Sequence, residues 1–156
     1  MGQPGTNREA DRGTGHRTRN NATAGQSRDA EVHEYLRDYA KALTAGDGKT
    51  IAKMWQVPAL LMSDGGVKAV SSREEVEQFF SGAKEQYNAR GIQEAIPQVQ
   101  TIDWATERLV TTRVRWPYIN KSGQEIGEES STYTLRRDDS GELKLCAVVM
   151  HGATER

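Results

Sequence analysis

Three side chains in this sequence have the type and setting for proton transfer: Tyr39, Asp64 and His151. An imidazole changes charge near neutral pH, so His151 suits acid and base work in a way most side chains do not. It follows the apolar run Leu143 to Met150 and shares parity with Leu143, Leu145, Ala147 and Val149, which would carry an inner strand face toward a pocket end. Asp64 stands before Gly65 and Gly66, where a turn former is the plainer reading of a carboxylate than a general base. Tyr39 lies on an apolar helical stripe, the ordinary place for a core tyrosine whose hydroxyl finds one partner. If the three converged in one cavity, they would fit proton shuffling on a carbonyl or hydroxyl compound; geometry decides that, not residue type.

The elements that would position them follow from periodicity. From Glu31, the residues Val32, Tyr35, Leu36, Tyr39 and Leu43 recur at helical spacing, and Gly46 is the natural stop. Asp47 can cap a short turn toward Ile51, Met54 and Trp55. Ala59 to Met62 and Val67 to Val70 bracket Asp64 as a small hairpin. Ser72 with Glu75 forms a capping box that opens a long helix with Val76, Phe79, Phe80, Ala83 and Tyr87 on one stripe, ended by Gly91. Ile92 to Trp104 reads as a strand interrupted at Pro97. Then Leu109 to His151 reads as a meander of three strands with turns at Asn120 to Gly123 and Asp138 to Gly141. Its first strand alternates, with Val110, Thr112, Val114, Trp116 and Tyr118 on one face and Arg113 and Arg115 on the other, where Glu128 and Glu129 can pair with them. Its last strand is apolar on both parities, with Cys146, Val148 and Met150 opposite the Leu145 face, so both its sides need covering. Helices followed by antiparallel strands indicate an α+β domain.

Composition divides the chain of 156 residues near position 30. The first 29 residues hold no Val, Ile, Leu, Phe, Trp or Tyr and read as a disordered tail, with residues 30–152 as the domain and 153–156 as its C-terminal end. The tail has five Arg against three acidic residues, so the totals of 21 basic and 22 acidic residues leave 16 against 19 for the rest. That balance argues against nucleic acid or a membrane surface as the partner. There is no apolar stretch long enough for a bilayer span and no secretion signal, so the default compartment is the cytoplasm. The lone Cys146 excludes an intrachain disulfide and reads as a buried, inert thiol. His16, His33 and His151 are scattered without ligand spacing, and no glycine-rich phosphate loop follows a strand, so neither metal nor cofactor is expected.

Tyr39 to Asp47, reading YAKALTAGD, resembles the first-helix ending of the nuclear transport factor 2-like superfamily, which includes SnoaL-like proteins and ketosteroid isomerase. Trp55 and Ala59, the Ser72 capping box, and STYTLRR before a turn and a final apolar strand continue the resemblance over about Glu31 to Gly152. The resemblance implies a cone-shaped fold, with helices packed on a strongly curved antiparallel or mixed sheet around a deep pocket. It also implies a homodimer through the outer sheet face. In the steroid isomerase branch, the tyrosine matching Tyr39 donates to a developing oxyanion. That branch also uses a base where this chain has Ser63 and a second acid near Thr132, and both departures count against its mechanism.

The resulting expectation is a pocket lined by Tyr39, Trp55, Met62, Phe80, Tyr87, Trp116 and His151 that binds a small, mostly apolar organic molecule. Two alternatives stand beside it: an acid/base enzyme of isomerase, dehydratase or cyclase type, and a non-catalytic dimerisation module. An open cone with two or more inward ionisable groups favours the enzyme, and a closed or shallow cone with Tyr39 fully buried in hydrocarbon favours the module.

Overall fold

The computed structural model describes residues 27–155 of the chain. The chain divides into two compact units, one ending at Glu34 and one beginning at Tyr35. Helix α1 covers residues 27–45, and the unit from Tyr35 onward holds every later helix and the whole sheet. The tail expected over residues 1–29 lies outside the described residues as far as residue 26, while 27–29 are helical. Among the described residues, no helix is long and apolar enough to cross a membrane.

The stripe Tyr35, Leu36 and Tyr39 is buried, as an amphipathic helix against a sheet requires. Gly46 closes α1 at φ +69, a conformation that side-chain-bearing residues avoid. Asp47 then caps α2 (Gly48–Met54), its carboxylate accepting from the Thr50 amide at 3.1 Å. Gly48 has a separate reason to be glycine, since a Cβ there would stand 3.0 Å from the Glu77 carbonyl oxygen of the next helix. Strands β1 (Trp55–Ser63) and β2 (Gly66–Val70) form the hairpin around Asp64. Ser72 caps α3 (Arg73–Phe80) by accepting from the Glu75 amide. The long helix expected from that cap is two, because the chain breaks at Ser81 and Gly82 before α4 (Ala83–Ala89). Gly82 offers no side chain to cap α4, and α4 buries no residue completely. Helical spacing alone could not show the break, since Ala83 and Tyr87 keep the period across it.

After α4 come β3 (Glu94–Ala95) and β4 (Gln98–Trp104), both antiparallel to β5 (Leu109–Ile119) and separated at Pro97, which cannot donate to the ladder. Next are β6 (Glu125–Arg137) and β7 (Leu143–Glu155), so the last strand runs past residue 152. The strand order is β2-β1-β7-β6-β5-β3, with β4 also on β5, and only β1 and β7 pair in parallel. This is the expected α+β arrangement of helices on a mixed sheet. The inner face carries Val110, Thr112, Val114, Trp116 and Tyr118 from β5 and Ser131, Tyr133 and Leu135 from β6, all buried.

The last strand departs from simple alternation. Leu143 and Leu145 are buried as expected, but so is Val148, and the β6 to β7 register shifts between Thr134 and Leu135, leaving Cys146 unpaired in a bulge. Beyond that bulge the faces exchange. Val148 opposes buried Tyr133, and Ala147 and Val149 pass to the outer face beside Thr134 and Thr132. A second shift, between Ser130 and Ser131, leaves His151 unpaired. The expectation that Ala147, Val149 and His151 extend the Leu145 face, with Val148 and Met150 opposite, is therefore corrected: one inserted residue exchanges the faces as far as the second shift.

Candidate functional site

A partly open cavity of about 440 Å³ lies between the helices and the inner sheet face. Helices α1, α3 and α4 contribute Tyr39, Phe80 and Tyr87 to its walls; the sheet contributes Trp55, Leu61, Trp116, Tyr133, Val148 and Met150. Tyr39 is the hub of the aromatic cluster. Its ring meets Phe80 edge-on at 6.4 Å and Tyr133 at 6.1 Å, and stacks on Tyr35 at 6.1 Å. Trp55 completes the wall against Phe80 at 5.9 Å. Such edge contacts fix ring orientation beyond what burial alone would do.

The hydrogen bonds within this cluster have a definite direction. The Trp55 indole donates to the Tyr39 hydroxyl at 3.1 Å, and the Trp116 indole donates to the Tyr133 hydroxyl at 2.9 Å. An indole N–H can only donate, so each phenol oxygen must be the acceptor in its bond. Both phenols therefore keep their own hydrogen for a further acceptor. Burial pushes both hydroxyls well above the ordinary phenol range, with each other's proximity adding to Tyr39 and the Glu129 charge adding to Tyr133. They are neutral donors.

Glu129 supplies a carboxylate to the same cavity. It stands on the inner face of β6, opposite Trp116, and accepts from the Tyr87 hydroxyl at 3.0 Å. Burial, followed by that carboxylate's charge, pushes the Tyr118 phenol up to about 12. Arg90, another lining residue, lies 5.8 Å from the Tyr87 ring and 5.2 Å from the Tyr118 ring. Glu128, one residue earlier, points the other way. It pairs with Arg115 on the outer face at 2.8 Å, where Glu125 joins at 2.6 Å. The expected partnership of the arginine pair with Glu128 and Glu129 thus holds for Arg115 with Glu128, while Glu129 faces inward by strand parity.

Tyr39, Trp55, Phe80, Tyr87 and Trp116 come together as lining residues of this cavity, and Met62 and His151 do not. Met62 sits between Val67 and Val149 on the outer face of the sheet. His151 is exposed, its Nε2 2.7 Å from the Thr132 hydroxyl. Asp64 and His151 line a second depression of about 310 Å³, with Ser63 and Ser130, which Tyr39 does not reach; Glu129 and Met150 border both. The residues missed are Glu129, Ser131 and Tyr133. Their shared parity with Leu135 was the available signal, hidden because Glu128 and Glu129 are adjacent and only one can face in. Among the described residues, no cluster of three or more His, Cys, Asp or Glu is placed to hold a metal ion.

A family model described as NTF2-like protein (DUF6841) matches residues 29–153. No curated protein matches the sequence. Among solved structures, the chain is similar to an NTF-2-like protein of unknown function from Shewanella oneidensis, at 13% identity and TM-score 0.61, covering 80% of this chain and 98% of that one. It is similar to a ketosteroid isomerase-like protein from Erwinia carotovora atroseptica at 13% identity and TM-score 0.56, covering 79% and 91%. A domain of unknown function with a cystatin-like fold from Nostoc punctiforme gives 15% identity and TM-score 0.61, covering 79% and 75%. At such identities the likeness is one of fold.

Proposed function

We propose, from the premise that this chain belongs to the NTF2-like protein (DUF6841) family, that its cavity binds a small, mostly apolar organic molecule by an oxygen acceptor such as a carbonyl. The observation that carries the reading is the pair of Trp-to-Tyr hydrogen bonds, Trp55 to Tyr39 and Trp116 to Tyr133, which leaves two neutral phenol hydrogens in an aromatic cavity. A buried donor without an acceptor costs about 1–3 kcal/mol, so a ligand oxygen placed there recovers that free energy while the rings shed water from the ligand's apolar body. The acid/base reading stands second: Glu129 and Arg90 line the cavity with Tyr39, but the expected Asp64 and His151 line a different depression.

The test is a titration with acetylnaphthalene, read by the fluorescence of Trp55 and Trp116 in the cavity wall. Saturable quenching is expected, with affinity falling about tenfold in each of Tyr39→Phe and Tyr133→Phe, the loss of one hydrogen bond of about 1.4 kcal/mol. Affinity unchanged in both variants, each shown folded by its melting curve, would overturn the reading.

The partner reading is a second copy of this chain against the outer sheet face. It is supported by Leu60, Val67 and Val149, exposed large apolar side chains gathered on the adjacent strands β1, β2 and β7 around Met62.

A further inference from the structure

The inner face of β6 carries two groups of opposite hydrogen-bonding sense in one cavity. At one end the Tyr133 hydroxyl, together with that of Tyr39, has a hydrogen to give. Four residues earlier on the same face stands Glu129, which can only accept. Ser131 lies between them, and at about 3.3 Å per residue the backbone separation of the two ends is roughly 13 Å. The Tyr87 phenol bonds the Glu129 carboxylate at 3.0 Å, but a carboxylate has about four lone-pair positions, more than one phenol occupies. The walls between the ends are apolar: Leu61, Phe80, Trp116, Val148 and Met150.

We propose that the cavity takes an elongated apolar molecule with an oxygen acceptor at one end, held by Tyr39 and Tyr133, and a neutral hydroxyl at the other, which donates to Glu129. The inference rests on the proposed binding of an apolar molecule and deepens it by naming the ligand's two ends. A hydroxyl is favoured over an ammonium because the Arg90 guanidinium lies 5.8 Å from the ring of Tyr87, the phenol that bonds Glu129, and lines the same cavity, so the negative charge there already has a positive neighbour. A second cation would meet Arg90 as well as Glu129.

The experiment uses the full chain and four probes: acetylnaphthalene, its counterpart with a hydroxyl on the far ring, one with an aminomethyl group there, and one with a second acetyl group there. A hydrogen bond to an ionised group contributes about 1.5–3 kcal/mol, so the hydroxylated probe is expected to bind at least about tenfold more tightly than acetylnaphthalene. In Glu129→Gln the Tyr87 phenol still has an oxygen to donate to, and the amide hydrogens take the remaining positions. A hydroxyl can still accept from that amide, so its advantage should shrink to that of a neutral hydrogen bond, while a probe with acetyl groups at both ends should gain. The comparison of probes on the unmodified chain stands even if that variant fails to fold. If acetylnaphthalene binds and the hydroxyl adds nothing, the two-ended site is wrong and the binding reading survives. If acetylnaphthalene does not bind at all, the binding reading fails and the inference falls with it. A larger gain for the aminomethyl probe than for the hydroxyl would overturn the assignment of a neutral end.

Discussion

Asp138 shows how much one exposed side chain can organise. Its Oδ1 accepts from the Ser140 hydroxyl at 2.6 Å and from the Ser140 and Glu142 amides at 2.9 and 3.0 Å, tying the β6 to β7 turn. The Ser140 hydroxyl first, then the Glu142 amide, hold this carboxyl below its ordinary value of 3.8. Because the folded value lies below the unfolded one, the stabilisation is fully present above 3.8 and is lost as pH falls through the lower folded value. The melting-temperature advantage of the natural chain over Asp138→Asn should therefore be constant from pH 7 to 5 and shrink at lower pH. An advantage that grew on acidification would contradict these hydrogen bonds. The two cavity phenols obey the same logic of direction. Tyr39 and Tyr133 matter because an indole donor leaves them nothing to do but accept from it and donate elsewhere.

At the scale of elements, β7 decides which side chains meet the cavity. Its bulge at Cys146 puts Val148 in the core, 4% exposed, and leaves Val149 39% exposed on the other face. Adjacent substitutions should then have opposite consequences. Val148→Asp places an unpaired charge among Tyr133 and Leu61 and should prevent folding, whereas Val149→Asp should leave the melting temperature nearly unchanged. If the outer face of β1, β2 and β7 seats a second copy, Val149→Asp should also convert a dimer to a monomer in sedimentation. A natural chain that sediments as a monomer at micromolar concentration would remove that partner. Reversed effects, with Val149→Asp the disruptive substitution, would mean the strand alternates from Leu145 without a bulge.

At the scale of the molecule, the tyrosines are a single titrating set. The sequence has five, and each is held above the ordinary phenol value of 10.0, burial being the first cause throughout. Folded values raised above unfolded ones give stability that is complete below pH 10 and is lost as pH rises beyond it. Each group then costs about 1.4 kcal/mol per pH unit until its folded value is reached. Phenolate absorbance followed from pH 8 to 13 should show no reversible step near 10, with ionisation and unfolding arriving together above it. A tyrosine that titrated near 10 in the intact fold would show that water reaches the aromatic cavity more freely than the burial of its phenols implies.

Local signals were enough for the fold class and for most elements, though not for the break between α3 and α4. The stripe of Tyr35, Leu36 and Tyr39, the Asp47 and Ser72 caps and the alternation from Val110 to Tyr118 are each set by sterics or periodicity within a few residues. The same signals identified five of the cavity's walls: Tyr39, Trp55, Phe80, Tyr87 and Trp116. The remainder turned on register, which belongs to the pairing of strands far apart in the chain. A strand's faces follow from parity only until one residue is inserted, and the insertion at Cys146 is fixed by pairing with β6. For the same reason the carboxylate in the cavity proved to be that of Glu129, while His151 and Asp64 border a separate depression.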